Sequence, residues 1–167
     1  FPIERQLKRA ELGIAVGALP FFGEDSWNAY ELSWLDPRGK PVVALGGFRV
    51  PADSPRLIEL KSLKLYLNAF NQQRCASLEE VTQTIARDLS AAAGATVAVS
   101  VVPLSARPQR HSAYPEGHCL DELDIGIDRY QPDPGLLSAA GEEVAETLYS
   151  HLLKSNCLVT GQPDWGT

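Results

Sequence analysis

The chain has 167 residues, of which 44% are hydrophobic and 22% charged, a balance typical of a globular protein with its own core. Its formal net charge is −6, which argues against a surface for nucleic acids or anionic membranes, because both attract an excess of Lys and Arg. No apolar run reaches the roughly 18 residues that a transmembrane helix needs. We therefore expect a soluble protein that binds neither a membrane nor nucleic acid directly.

The chain begins with a segment of weak pattern and then a hairpin. Residues 1–26 are mixed in character and contain several glycines, so we predict an irregular lead-in. Residues 27–36 alternate and are rich in aromatic side chains, which predicts a β-strand. Residues 36–40 carry the Asp, Pro and Gly of a reversing turn, and residues 41–50 predict the returning strand.

Two helices and a strand are predicted next. The segment that follows Pro55 could begin extended, but from Leu63 onward its apolar residues recur at helical spacing. Ser77 and Glu80 form the capping box of a second helix, which we expect to end at Gly94. Residues 96–104 are rich in Val and predict a strand.

The pattern is weaker after residue 104. Residues 105–118 lack periodicity and predict a loop, whereas residues 119–130 alternate apolar and acidic side chains, which predicts a strand with one wet face. Residues 141–155 fit a helix by propensity and a strand by alternation, and periodicity does not decide between them. The order of elements favours an α+β fold, in which an antiparallel sheet carries its helices on one face.

The cysteines and histidines show no metal-binding arrangement. Three cysteines cannot all pair within one chain, and none falls in a CxxC pattern or at metal-ligand spacing from a histidine. A reducing cytoplasm is the simplest interpretation. We predict no metal site among these residues, which are Cys75, Cys119, Cys157, His111, His118 and His151.

Residues 155–166 contain a candidate catalytic pair. Cys157 has small polar neighbours, and Asp164 follows it by seven residues across a Gly-Gln-Pro turn. Such a turn could bring both side chains to one site, where a thiolate acts as nucleophile and a carboxyl group donates a proton. On spacing alone a structural interpretation is favoured, since free cysteines are often small buried hydrophobes and Asp after Pro commonly forms a turn.

A second candidate site lies at the start of the first predicted helix. Lys61 and Lys64 are three residues apart, and two ammonium groups near a helix N-terminus suit phosphate binding. They could also form an ordinary solvated basic face. Glu59 precedes them, and a carboxylate can accept two parallel hydrogen bonds from the donor edge of a guanine-like base.

Both segments resemble motifs of the two-module 7-cyano-7-deazaguanine reductases (the QueF family). Residues 59–66, ELKSLKLY, match the family's recognition motif at every position, and residues 150–166, SHLLKSNCLVTGQPDWG, are similar to its catalytic segment. The resemblance implies a tunnelling fold (T-fold), with an N-terminal module over residues 1–140 and the start of a catalytic module over residues 141–167. It also implies that 141–155 is a strand leading to the nucleophile.

The resemblance further implies a reaction and its residues. The family reduces the nitrile of 7-cyano-7-deazaguanine to an aminomethyl group with two NADPH, in queuosine biosynthesis, and its members are homodimers. By motif position, Cys157 resembles the nucleophile that forms a thioimide, and Asp164 resembles the proton donor. Ile58, Glu59 and Leu60 match substrate-contacting positions. Positions that touch NADPH are matched by Leu60 and Lys61, with Lys64 adding charge near the phosphates; Leu60 stands where many relatives have Ser and offers only backbone contacts.

We expect the chain to be incomplete and inactive alone. It contains no Met, begins at Phe1 and ends at Thr167, directly after the second motif, so most of the second module and its substrate and cofactor contacts would be missing. Two other functions stay open. One is another T-fold purine or pterin enzyme, which would rely on His and often on zinc. The other is a non-catalytic purine-binding module in which Cys157 is merely buried.

Overall fold

The computed structural model describes residues 2–15, 17, 19–104, 115–131, 133–138, 140–156, 161 and 163–167. They belong to two compact units, Phe1–Gln109 and Arg110–Thr167. The boundary that we predicted at residue 140 separates two sequence modules, whereas the division at residue 109 separates two compact units. The module boundary therefore stays a prediction. Within the described ranges, no helix combines the length and apolar character that a membrane span requires.

The first unit is built on a three-stranded antiparallel sheet. Its strands are β2 (Glu24–Leu35), β3 (Pro41–Pro51) and β5 (Ala98–Pro103), in the order β2-β3-β5. The predicted hairpin is confirmed: β2 and β3 pair from Glu24 with Pro51 to Leu35 with Pro41, and a bulge interrupts them between Ala29 and Leu32. The predicted strand at 96–104 is confirmed as β5, which pairs with β3.

Two helices cover one face of this sheet. They are α2 (Leu60–Asn68), continued by a 3₁₀ turn (Ala69–Gln72), and α3 (Leu78–Ala93). Alternate residues of β3 are buried because they face these helices. Sheet and helices share one hydrophobic core, whose members include Leu32, Phe48, Val50, Leu63, Val81 and Ile85. The predicted α+β class, with antiparallel sheet and helices, is therefore confirmed.

The capping signals of α3 act as the sequence predicts. The hydroxyl of Ser77 accepts a hydrogen bond from the amide of Glu80 at 3.1 Å, and Gly94 ends the helix in the left-handed conformation with φ +73°. The return bond of the capping box is displaced by one residue, since the Glu80 carboxylate accepts from the amide of Ala76 rather than from that of Ser77.

The irregular lead-in that we predicted for residues 1–26 is wrong at both ends, because residues 24–26 already belong to β2 and the first residues form regular structure. Pro2–Glu4 forms β1 and Arg5–Glu11 forms α1. β1 pairs with β4 (Arg56–Ile58), a strand more than fifty residues away in sequence. Both elements are too short for a periodic signal, and long-range contacts stabilise them.

Four short strands lie among the described residues of the second unit. They are β6 (His118–Cys119), β7 (Leu148–Tyr149), β8 (Leu153–Asn156) and β9 (Pro163–Gly166). A 3₁₀ turn covers Pro134–Leu136. β6 and β7 are parallel, whereas β8 and β9 form an antiparallel hairpin. The resemblance implied one strand over residues 141–155, but only β7 and the start of β8 are strands there, and residues 141–147 and 150–152 form neither strand nor helix.

The long strand predicted at 119–130 is wrong. Only His118–Cys119 pairs with another strand. Beyond it, Leu123, Ile125 and Ile127 are 50%, 65% and 61% exposed. Alternation predicts a strand only where one face is covered, and within the described part of the second unit neither a partner strand nor a core covers these side chains. Of the loop predicted at 105–118, residues 105–114 lie outside the described residues.

Candidate functional site

Glu59 stands at the junction between β4 and α2. The strand ends at Ile58, which is buried and pairs with Pro2. Glu59 is the N-cap of α2: its Oε1 accepts from the amide of Lys61 at 2.9 Å, and its Oε2 accepts from both the amide and the hydroxyl of Ser62 at 2.7 Å. α2 therefore begins three residues before Leu63, where the apolar period starts.

These hydrogen bonds hold Glu59 in its charged form. The hydroxyl of Ser62 and the amides of Lys61 and Ser62 lower the pKa of the Glu59 carboxyl group, against a smaller opposing effect of burial. A carboxylate has about four acceptor directions, and three are occupied here. A donor edge offering two hydrogen bonds would have to share the carboxylate with the helix or displace one of its bonds. The predicted role of Glu59 in substrate recognition stays a prediction.

The other predicted contact residues follow on α2. Leu60 is the first helical residue and is half-buried, whereas Lys61 and Lys64 are exposed and one turn apart. None of the ion pairs formed among the described residues involves either lysine. The helix amides are already used by Glu59, so an anion here would be bound chiefly by the two ammonium groups.

A shallow cleft of about 140 Å³ adjoins this junction. Its lining includes Ile58 and Ser62, which flank the Glu59 cap, and Pro2, Leu63, Tyr66 and Asp88. The hydroxyl of Tyr66 donates to Asp88 at 2.8 Å. Burial, and then this bond, raise the pKa of Tyr66 above its usual value, so the phenol stays protonated. The cleft is thus largely apolar, with its polar groups already paired.

The second predicted segment forms the β8–β9 hairpin. Its register pairs Leu153 with Gly166, Lys154 with Trp165, Ser155 with Asp164 and Asn156 with Pro163. Asp164 therefore lies on β9, opposite Ser155. Cys157 lies outside the described residues, as do residues 158–160 and 162. The ammonium group of Lys154 lies 5.6 Å from the centre of the Trp165 ring, a cation–π contact across the hairpin.

Two residues with structural roles at these sites were missed from the sequence. Ser62 completes the Glu59 cap, and the Glu-x-x-Ser spacing is the signal that could have revealed it. Asp121, which we took for part of a wet strand face, accepts hydrogen bonds from Ser150 and His151. Its partners are about thirty residues away, and no local spacing encodes such a contact.

Metal chemistry has no candidate centre in the described ranges. No group of three or more His, Cys, Asp and Glu side chains there is placed to hold an ion. His118 is exposed on β6, and Cys119 beside it is half-buried.

The α+β unit carrying the Glu59 motif is the part of the chain that matches a known family. Residues 1–101 match the family model described as nitrile reductase, 7-cyano-7-deazaguanine-reductase N-term. Because that match covers more than half of the chain, the chain belongs to the 7-cyano-7-deazaguanine reductase family, as its motifs predicted.

Close relatives extend the similarity over the whole chain. The chain is 69% identical to a protein of Azoarcus sp. (strain BH72) over 99% of its length, and 66% identical to one of Aromatoleum aromaticum over 100%. A protein of Dechloromonas aromatica is 65% identical over 99% of the chain. All three are named NADPH-dependent 7-cyano-7-deazaguanine reductase. The chain spans only 59–60% of the length of these relatives.

Proposed function

We propose that the native protein reduces the nitrile of 7-cyano-7-deazaguanine to the 7-aminomethyl base, with NADPH as reductant, as a step of queuosine biosynthesis. The observation that carries this is the 65–69% identity to relatives with that name, which extends over both motifs. A T-fold, a homodimer and a second module beginning near residue 141 belong to the same proposal.

The first chemical task is to activate the nitrile. A nitrile is a poor hydride acceptor, and addition of a thiolate to its carbon produces a thioimide, which accepts hydride more readily. Cys157 is the nucleophile in this proposal. Its sulfur forms a bond to the nitrile carbon, one of the carbon–nitrogen π bonds breaks, and the nitrogen gains a negative charge that needs a proton.

Asp164 is the proposed donor of that proton. The pairing of Asp164 with Ser155 supports this role, because Cys157 is only two residues beyond Ser155 in the chain. Two peptide units and one cross-strand pair limit the Cα atoms of Cys157 and Asp164 to a separation of roughly 13 Å or less. That range allows both side chains to contact one small nitrile-bearing base.

Substrate recognition is proposed at the β4–α2 junction. The Glu59 carboxylate is charged and retains one open acceptor direction, and release of one bond to α2 would let it accept both hydrogen bonds from the donor edge of a guanine-like base. Ile58 and Leu60 flank it, the first as a buried strand end and the second as a half-buried helix start. Leu60 has no polar side-chain atom, so its polar contacts are limited to the backbone.

The residues of this junction also fit the phosphates of NADPH. Lys61 and Lys64 are exposed, lie one turn apart and form no ion pair among the described residues, so both charges are available to an anion. When bound, NADPH supplies the hydrides of the reaction. The role of Lys61, Lys64 and the Leu60 backbone is to hold it.

The test is the stoichiometry of the reaction in the native protein. We expect two NADPH to be oxidised for each nitrile consumed, and we expect Cys157→Ala to abolish the reaction and Asp164→Asn to slow it. Cys75→Ala is the matched control, since burial raises the pKa of that thiol and makes it a poor nucleophile. Tight binding of the base without NADPH oxidation would contradict the proposal and favour a purine-binding module.

A further inference from the structure

The carboxylate of Asp121 connects the start of the second unit to the strand before the hairpin. Its Oδ1 accepts a hydrogen bond from the hydroxyl of Ser150 at 2.6 Å, and its Oδ2 accepts one from the amide of His151 at 3.0 Å. The hydroxyl oxygen of Ser150 in turn accepts from the amide of Leu152 at 3.0 Å. This series of bonds ends one residue before β8.

The opposite strand of the hairpin is held at the same end. Nδ1 of His151 lies 2.9 Å from the hydroxyl oxygen of Thr167, within hydrogen-bonding distance. Thr167 directly follows β9. The contacts of Asp121 and His151 therefore engage the residues next to the start of β8 and the end of β9, which together form the open end of the hairpin.

The described strands of the second unit are short. β8 and β9 have four residues each, and an isolated two-stranded hairpin of that size is at best marginally stable. β6 and β7, which lead up to it, share two residue pairs. The hydroxyl of Ser150, and then the amide of His151, lower the pKa of Asp121, so its carboxylate is charged and its hydrogen bonds are charge-assisted.

We propose that Asp121 is a positioning residue for the reductase reaction: it sets the orientation of the β8–β9 hairpin and thereby of Cys157 and Asp164. This inference rests on the proposed function. In this role Asp121 acts through Ser150 and His151 and not by direct contact with the substrate. Because covalent addition requires the thiolate and the nitrile carbon to meet in a narrow range of geometries, a displacement of about 1 Å at the hairpin can slow addition by up to roughly 100-fold.

The test measures thioimide formation in the native protein. Each variant is mixed with 7-cyano-7-deazaguanine without NADPH, and the rate and final amount of the covalent adduct are followed by intact mass. Asp121→Asn removes the charge and one acceptor oxygen, whereas Asp121→Glu keeps the carboxylate. Asp124→Asn is the matched control, since it removes an exposed acid three residues away.

A positioning role predicts a particular split between rate and amount. Asp121→Asn should form adduct about 10- to 100-fold more slowly, should reach the same final amount, and should show faster amide hydrogen exchange in residues 153–156 and 163–166. Asp121→Glu should recover part of the rate, and Asp124→Asn should match the unaltered protein.

Two results would overturn the inference while leaving the reductase function intact. One is an unchanged rate with a smaller final amount, which would mean that Asp121 only maintains the folded fraction. The other is an unchanged rate, amount and hydrogen exchange. If the unaltered protein forms no adduct at all, the thioimide mechanism and this inference both fail. Hydrogen exchange tests the positioning role separately: if Asp121→Asn leaves the exchange rates of the hairpin amides unchanged, Asp121 does not position the hairpin.

Discussion

Replacing Glu59 with Ala should destabilise the first unit through the loss of a helix cap. The carboxylate accepts three hydrogen bonds from Lys61 and Ser62. The loss of stability should be smaller than the summed energy of these three hydrogen bonds, because Glu59 is partly exposed and water can bind the released amides. Loss of an N-cap side chain typically costs about 1 kcal/mol, so we expect the free energy of unfolding to fall by about that amount at neutral pH.

The effect of Glu59→Ala should also depend on pH. The pKa of Glu59 is lowered from its ordinary value of 4.5 in the folded protein. As the pH falls, Glu59 therefore takes up its proton at a higher pH in the unfolded chain than in the folded protein. The stabilisation by the Glu59 carboxylate is fully present above pH 4.5 and is lost as the pH falls through the pKa of Glu59 in the folded protein. The difference between the two proteins should be constant around neutrality and should shrink in acid.

Urea denaturation followed by tryptophan fluorescence measures this difference. Ser77→Ala is the control, because it removes the hydroxyl cap of α3, costs about the same 1 kcal/mol and has no titrating group at the altered position. Its deficit should persist in acid while that of Glu59→Ala shrinks. A Glu59→Ala deficit that is absent at neutral pH, or that stays constant in acid, would refute the capping account.

Three further predictions concern the core, a helix end and the proposed cofactor site. Ile85→Ala should lower the unfolding free energy by about 2–5 kcal/mol, since the side chain is 0% exposed, while Leu65→Ala, at 63% exposure, should change it by less than about 0.5 kcal/mol. Gly94→Ala should cost about 1–2 kcal/mol, because φ is +73° and a Cβ would lie 2.7 Å from Pro55. Lys61→Ala and Lys64→Ala should each raise the KM for NADPH about 2- to 5-fold, as expected for exposed charges.

Each of these three predictions can be measured directly and can be contradicted by a specific result. Urea denaturation measures the first two, and equal effects at Ile85 and Leu65, or a neutral Gly94→Ala, would contradict the packing described. Initial rates at varied NADPH concentration measure the third. The KM increase should diminish at high salt, because ions screen exposed charges; an unchanged KM in both variants would remove α2 from the cofactor site.

The elements predicted correctly are those with local signals. The β2–β3 hairpin has its turn residues between two alternating segments, and α3 has Ser77 at one end and Gly94 at the other. β1 and α1 have no comparable signal, because they depend on pairing with β4 and on contacts of the 51–55 loop, such as the hydrogen bond from the amide of Arg5 to Pro55.

The motifs predicted which residues belong to the candidate site, but they did not predict the contacts of those residues. The motif at 59–66 pointed to Glu59, yet its cap geometry depends on Ser62 and on where α2 begins. The alternation at 119–130 predicted a strand because alternation does not reveal whether a partner strand exists. The same segment contains Asp121, whose contacts with Ser150 and His151 arise only from the way the second unit folds.

The most direct test of the central claim is the intact mass of the native protein, denatured after incubation with 7-cyano-7-deazaguanine in the absence of NADPH. We predict a mass increase equal to one molecule of the base, present in the unaltered protein and in Cys75→Ala but absent in Cys157→Ala. A native protein that gains no mass, or a Cys157→Ala variant that still gains it, would contradict the assignment of Cys157 as the nucleophile of a nitrile reductase.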